Sequence, residues 1–213
     1  MSCTITNDAL VSHLEHNTQV LTTPRLRAAF RAIDRADFVH PDYRLEAYED
    51  YPLPIGEEQT ISQPTTVAFM LEKLEAEPGE RVLDVGAGSG WTTALLGSIV
   101  GEQGRVIGIE LLPELVAFGT RNLAKYSLPQ ATIEEAERGV LGKPAVARFD
   151  RILVSASAEK FPQELVSQLG EGGVMVVPVG DAICRVEKLG RGKIAKKCFS
   201  GFAFVPLIEG KKT

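Results

Sequence analysis

The sequence predicts an α/β fold: a seven-stranded, mostly parallel sheet behind a helical lead, finished by an antiparallel C-terminal hairpin. Three observations predict it. The run from Arg81 to Gly90, RVLDVGAGSG, is an apolar strand that ends on an acid and turns through three alternate glycines. A second strand, Arg105 to Glu110 (RVIGIE), also ends on an acid. Strands and helices then alternate, which implies a parallel sheet covered on both faces.

Each element has a local cause. Asn7 reads as the cap of a helix running toward Leu21, with Leu10, Val11 and Leu14 as its apolar stripe. Thr23-Pro24 starts a second helix, where Leu26, Phe30 and Ile33 recur at helical spacing. Residues 37–56 break into prolines, acids and tyrosines, as in a long ordered loop. Ser62-Gln63-Pro64 opens a helix through Val67, Met70, Leu71 and Leu74, which Pro78-Gly79 closes. Strand 81–86 is followed by helix 90–100, strand 105–110 by helix 113–125, and a weaker strand lies at 131–136. A strand at 149–156, a short helix from Pro162 and a strand from Val174 to Val179 complete the alternation. Ala182–Leu189 and Lys193–Phe204 form a hairpin about Gly190-Arg191-Gly192. One domain is expected over 1–213: a helical lead and substrate-side loop (1–60), a ligand-binding α/β core (61–180) and the hairpin (181–213).

At 213 residues the chain supports one sizeable core. Its 44% hydrophobic and 24% charged residues are those of an ordinary globule, and a net charge of −5 argues against bulk nucleic-acid binding. No apolar run approaches the roughly 18 residues of a membrane span. The N-terminus has neither a basic nor an apolar targeting region. A cytoplasmic monomer without a membrane or nucleic-acid partner is expected. Cys3, Cys184 and Cys198 show no metal-type spacing. The hairpin register sets Cys184 opposite Cys198, and a reducing compartment favours two small apolar residues there over a disulfide. Arg185, Lys188, Arg191, Lys193, Lys196 and Lys197 read as a solvated edge strand, with attraction of acidic peptides as the sharper alternative.

A strand, a glycine turn, a helix and a second strand with a terminal carboxylate make a pocket for a nucleoside-bearing cofactor. Glycine lets the backbone approach the ligand, and Glu110 can accept from ribose hydroxyls. Gly86, Gly88 and Gly90 form G-x-G-x-G followed by Trp91, whereas the dinucleotide fingerprint is G-x-G-x-x-G with a pyrophosphate on the helix N-terminus. Asp84, two residues before the turn, sets negative charge where a diphosphate would lie. That suits S-adenosyl-L-methionine, which carries a sulfonium and an ammonium, better than a dinucleotide, and a dehydrogenase is the weaker reading. Acyl transfer lacks its histidine. His13, His16 and His40 all lie in the lead, outside any nucleophile elbow, and the first two read as exposed helix residues. No motif argues for a metal.

The segment from Asp50 to Pro64, DYPLPIGEEQTISQP, resembles the signature of protein-L-isoaspartate (D-aspartate) O-methyltransferases. The resemblance covers nearly the whole chain: FRAIDRADFV at 30–39, AYED at 47–50, FDRILV at 149–154, QLGEGGV at 168–174, VPVG at 177–180 and FVPL at 204–207. It implies a Rossmann-like, S-adenosylmethionine-dependent methyltransferase fold. It also implies methyl transfer to the abnormal α-carboxylate of L-isoaspartyl residues in damaged proteins and peptides. S-adenosyl-L-homocysteine is then the product, no metal takes part, and the ester collapses to a succinimide that reopens in part to aspartate. By position Ser62 corresponds to the family's active-site serine. Thr60, Ile61 and Gln63 border the cofactor's methionine end and the substrate carboxylate. Ala87, Leu111, Glu137 and Arg138 join Asp84, Gly86, Gly88, Gly90 and Glu110 as cofactor contacts, and Val205 and Pro206 contribute to the peptide cleft.

The chemistry fits these residues. A carboxylate is already ionised at pH 7, so methylation needs alignment and exclusion of water rather than a strong base. Ser62 is assigned orientation of that carboxylate, a task compatible with capping the helix that begins near Pro64. Two departures stand out. Glu58 occupies a position where the family usually has glycine. At 135–142 the chain reads EAERGVLG where members show Gly-Asp-Gly. An ungapped match puts Arg138 in the aspartate's place, and a one-residue shift puts Glu137 there. Only the glutamate can accept from the adenine amine. These departures leave two rivals: methylation of an aspartate in a dedicated peptide, and an idle relative that binds without turnover.

Overall fold

The strand that carries the acid and the glycine turn lies in the interior of the sheet. The computed structural model describes residues 6–207. A short antiparallel ribbon joins β1 (Leu53–Gly56) to β2 (Gln59–Ile61). The main sheet has seven strands: β3 (Arg81–Val85), β4 (Arg105–Glu110), β5 (Ala131–Glu135), β6 (Phe149–Val154), β7 (Leu169–Val179), β8 (Ala182–Leu189) and β9 (Lys193–Ser200). They pair in the order β5-β4-β3-β6-β7-β8-β9. The first five in that order pair in parallel, and β8 and β9 are added antiparallel.

β3 is buried from Val82 onward, as expected of a parallel strand with both faces covered. Its alternate residues divide between two layers. On one face α1 (Asn7–His16), α2 (Pro24–Ala32), α3 (Pro64–Leu74), α4 (Trp91–Val100) and α5 (Pro113–Leu123) bury Leu14, Phe30, Leu71, Leu95 and Leu115 with Val82, Val106 and Val176. On the other, α6 (Gln163–Gln168) buries Leu165 and Val166 with Leu83, Ile107 and Met175. α4 is apolar nearly all round because it is enclosed: Trp91 meets the Phe30 ring of α2 edge-on, centroids 5.6 Å apart.

Several local expectations change. Thr6, not Asn7, caps α1 by accepting from Ala9 N–H, while the Asn7 amide donates to Phe30 O across to α2. α1 ends at His16, well short of Leu21, and His13 is half-buried with Nε2 3.5 Å from Asp50. The loop expected at 37–56 holds 3-10 turns at Arg35–Asp37 and Pro41–Glu46 and then β1. β7 starts at Leu169, five residues before the expected Val174, and β9 ends at Ser200 rather than Phe204. Cys184 and Cys198 are joined in a disulfide, contrary to the expectation of two free thiols: register places them directly opposite, and the pairing closes. Arg185 is engaged by Glu75 and Glu187, and Lys188 donates to Leu169 O, so the basic hairpin is partly tied down. Lys193, Lys196 and Lys197 remain exposed on β9, the edge strand.

Candidate active site

Strand order reverses between β3 and β6, and in an open α/β sheet the crevice beyond the strand ends at that point receives the ligand. A cavity of about 590 Å³ opens there. Val85, Ile109 and Glu110 line it from the ends of β3 and β4, Glu137 from beyond β5, and Ser155 and Ala156 from beyond β6. Ile55, Gln59 and Thr60 of the β1–β2 ribbon cover one side, and Val205, Pro206 and Leu207 another. Ser157 and Pro206 form an isolated bridge that holds this last segment in place.

The glycine turn is shaped by close packing. Gly90, at φ 86°, passes so near α5 that a Cβ would sit 2.9 Å from Gly119 O. Gly88, at φ 51°, faces the cavity with Ile55 opposite. Glu110, only 9% exposed, pins this turn: its carboxylate accepts from Gly88 N–H at 3.0 Å, Leu111 N–H at 2.7 Å and Leu112 N–H at 3.1 Å. Three bonds leave lone-pair capacity on a carboxylate for a ligand hydroxyl.

Asp84 lies one layer beneath. It is fully buried and lines neither cavity; Oδ2 accepts from the Thr92 and Thr93 hydroxyls, each at 2.7 Å, and Oδ1 from Ser155 at 3.4 Å. Burial lifts its carboxyl to about 6; the three hydroxyl bonds pull the other way, and the Glu110 charge adds to the rise.

A smaller cavity of about 40 Å³ shares Thr60, Gly86, Gly88 and Ser155 with the large one and is completed by Ile61, Ser62, Ala87, Ser89, Trp91 and Thr92 among others. Ser62 thus opens beside the glycine turn. It does not cap α3: Gln63 is the N-cap residue and makes no side-chain cap bond. The Asp50 carboxylate does that work, accepting from Thr65 N–H at 2.9 Å and Thr65 Oγ1 at 2.6 Å. The indole Nε1 of Trp91 is buried without a partner among the described residues.

Of the residues singled out by sequence, Thr60, Gly86, Gly88, Glu110, Leu111, Glu137, Val205 and Pro206 line the large cavity. Ile61, Ser62 and Ala87 line the small one. Gln63, Asp84, Gly90 and Arg138 line neither. Gln63 accepts from Thr66, and Arg138 is exposed while its neighbour Glu137 takes the wall. Ser155, Leu112, Leu115 and Glu164 were not anticipated. For Ser155 the signal existed: it follows the strand that neighbours β3 across the switch point.

Among the described residues, the lining of the large cavity includes Glu110, Glu137 and Glu164 and no lysine, arginine or histidine. Such a wall disfavours a diphosphate and favours a cation. The seven-stranded sheet, the switch-point cavity with its acidic lining and the Glu110 carboxylate at the end of β4 are those of an S-adenosylmethionine-dependent methyltransferase. The comparisons narrow the class. The family model for protein-L-isoaspartate(D-aspartate) O-methyltransferase matches residues 5–212. The protein-L-isoaspartate O-methyltransferase of Methanopyrus kandleri is 45% identical over 188 residues, covering 86% of this chain and 83% of its own. That of Anaeromyxobacter dehalogenans is 52% identical over 159 residues, 74% of each chain. A Plasmodium falciparum protein-L-isoaspartate O-methyltransferase crystallised with S-adenosyl-L-homocysteine superposes with a TM-score of 0.84 at 25% identity, covering 96% of this chain and 99% of that one. The chain belongs to the protein-L-isoaspartate(D-aspartate) O-methyltransferase family.

Proposed function

We propose that the protein methylates the α-carboxylate of L-isoaspartyl residues in damaged proteins and peptides, using S-adenosyl-L-methionine, with Ser62 positioning the acceptor. The observation that carries this is the junction of the two cavities: an acidic chamber suited to a cationic cofactor opens beside a serine hydroxyl that has no hydrogen-bond partner among the described residues. The residues present fit the cofactor. Glu110 stands at the end of β4 as an acceptor for a ribose diol, and Glu137 as an acceptor for the adenine amine. Val85, Ile109, Leu112, Leu115 and Leu141 offer apolar walls to a flat ring, and about 590 Å³ lies within the usual range of small-molecule sites.

The bound cofactor supplies an electrophilic methyl group on a sulfonium. The chain's own residues hold and orient. Ser62 donates to the acceptor carboxylate, which is already ionised and needs no base. Ile55 and Ile61 help to screen the junction from water, and Val205 and Pro206 form the peptide side of the cleft. The same reading has a monomer working in the cytoplasm; no helix among the described residues is long and apolar enough to cross a membrane.

The test is transfer from labelled S-adenosyl-L-methionine to a short isoaspartyl peptide, with its aspartyl twin as control. Label in the isoaspartyl form alone is expected, and Ser62→Ala, which removes a hydrogen bond to an ionised group, should lower kcat by about 10- to 100-fold. Cofactor binding without transfer to either peptide would move the assignment to a dedicated peptide substrate or an idle relative.

A further inference from the structure

Arg35 is the largest charged side chain in the core, with no exposed surface. A guanidinium in that position is costly unless the fold uses its donors. Nη1 donates to Ala47 O at 2.7 Å and Glu49 O at 3.1 Å; Nη2 donates to Tyr51 O at 3.0 Å and Ser62 O at 3.2 Å. Alternate carbonyls of the 47–51 segment therefore turn inward around one cation, and the fourth carbonyl belongs to the serine at the cavity junction. The guanidinium carbon also sits 5.5 Å from the Trp91 ring centroid, at the first residue of the helix that follows the glycine turn. Burial lowers Arg35 to about 10, with Asp50 offsetting part of the fall, so it is charged at neutral pH.

We propose that Arg35 is a positioning residue: its buried guanidinium fixes the backbone of Ser62 relative to the 47–51 segment and to Trp91, and so sets the hydroxyl against the glycine turn. The proposal rests on the reading of Ser62 as the residue that orients the acceptor. Arg35 touches neither cavity and acts only through that backbone. The geometry suits arginine and no other side chain, because two terminal nitrogens in one plane serve four carbonyls. Lysine brings a single nitrogen on a flexible stem and leaves part of the arch without donors. A displacement of about 1 Å at a reacting group costs on the order of 10²-fold in rate.

The experiment uses the full chain with Arg35→Lys, Ser62→Ala and the double variant. Each is assayed for kcat and KM on an isoaspartyl peptide and for the Kd of S-adenosyl-L-homocysteine. R35K should lower kcat by about 10- to 100-fold while the Kd moves by less than about twofold. S62A should cost much less in the R35K background than alone, because the hydroxyl there is already misplaced. An unchanged kcat in R35K, with S62A impaired, overturns the role of Arg35 and leaves Ser62 standing. No effect of S62A in the parent overturns the reading of Ser62 instead. A parallel loss of cofactor binding and turnover in R35K, or full additivity of the two substitutions, reduces Arg35 to a general structural part and also overturns the proposal. Arg35→Gln drops the buried charge with its desolvation penalty and carries the same comparison if R35K does not fold.

Discussion

Replacing Asp84 by asparagine should make the protein more stable at neutral pH than at acid pH, relative to the parent, and the size follows from burial. The native carboxyl titrates near 6 against an ordinary value of 3.8, a difference of roughly two units. The folded state therefore holds this proton more tightly than the unfolded chain. Below about pH 3.8 both states are protonated and nothing is lost. As pH rises from there the unfolded chain ionises first, and stability falls until the native carboxyl has also ionised, just above pH 6. The full loss is about 3 kcal/mol, of which about 2 kcal/mol falls between pH 4.5 and 7.5. An asparagine side chain would not titrate. Set in place of Oδ2, its oxygen keeps both threonine donors, and the Ser155 hydroxyl can turn to accept from the amide. Urea unfolding of parent and Asp84→Asn at both pH values gives two differences in free energy, whose own difference cancels every other titrating group. A change of about 2 kcal/mol in favour of the variant is expected. A difference that stays flat within about 0.5 kcal/mol would refute the argument that burial outweighs the three hydroxyl bonds. The same variant should bind S-adenosyl-L-methionine less well at pH 7.5, because an ionised Asp84 contacts Thr92 and Ser155, which line the small cavity. A stabilised but weakened protein is the usual exchange at a site built around a buried charge.

Three further outcomes are expected. Glu137→Ala should raise the Kd for S-adenosyl-L-homocysteine by about 10-fold while Arg138→Ala leaves it within about twofold, since only Glu137 lines the cavity; the reverse order in a calorimetric titration would put the arginine at the adenine. Glu58→Gly should stabilise the chain by about 0.5–1 kcal/mol, because Glu58 and Glu57 hold left-handed φ values of 57° and 51° at the tip of the ribbon; a lower denaturant midpoint would show that the carboxylate has a stabilising partner. Reducing the Cys184–Cys198 bond, which spans a sequence separation of 14, should cost about 3 kcal/mol and lower Tm by roughly 6–12 °C; two additional thiols that react before any reductant is added would mean that the pair is open in solution.

The strands were legible where burial on both faces leaves a continuous apolar run, as in Ile152–Val154 and Val174–Val177. Asp84, Glu110 and the alternate glycines were legible by type and spacing. Their division of labour was not, because it depends on depth: Glu110 reaches the wall and Asp84 stays beneath it. The β1–β2 ribbon was hidden because its turn is made by Glu57 and Glu58, whereas left-handed turns announce themselves through Gly or Asn. Gly170, Gly172 and Gly173 disguised the early start of β7 as a loop. Arg35 lies in a charged stretch, FRAIDRADF, where an arginine reads as surface; only the fold brings Ala47, Glu49, Tyr51 and Ser62 around it. The register that faces Cys184 with Cys198 was visible, but whether two facing thiols close is a redox question that sequence does not carry.

The arrangement resolves a conflict that the reaction poses. A cationic methyl donor calls for an acidic pocket, yet the acceptor is itself an anion that such a pocket would repel. Under the proposed function the two requirements are met in different places. Glu110, Glu137 and Glu164 line the large chamber, which that reading gives to the cofactor. The small cavity is lined by Ser62, Ser89, Thr92 and Trp91, neutral groups that can donate without adding charge. The Arg35 guanidinium, its terminal nitrogens committed to the carbonyls of Ala47, Glu49, Tyr51 and Ser62, holds the Ser62 backbone from within the core, and its charge stays out of both cavities. Hydrogen bonds made inside such a cavity are weakly screened by salt. Turnover of an isoaspartyl peptide should accordingly depend less on ionic strength than an exposed basic patch would make it, and the exposed lysines of β9 need take no part in holding the acceptor.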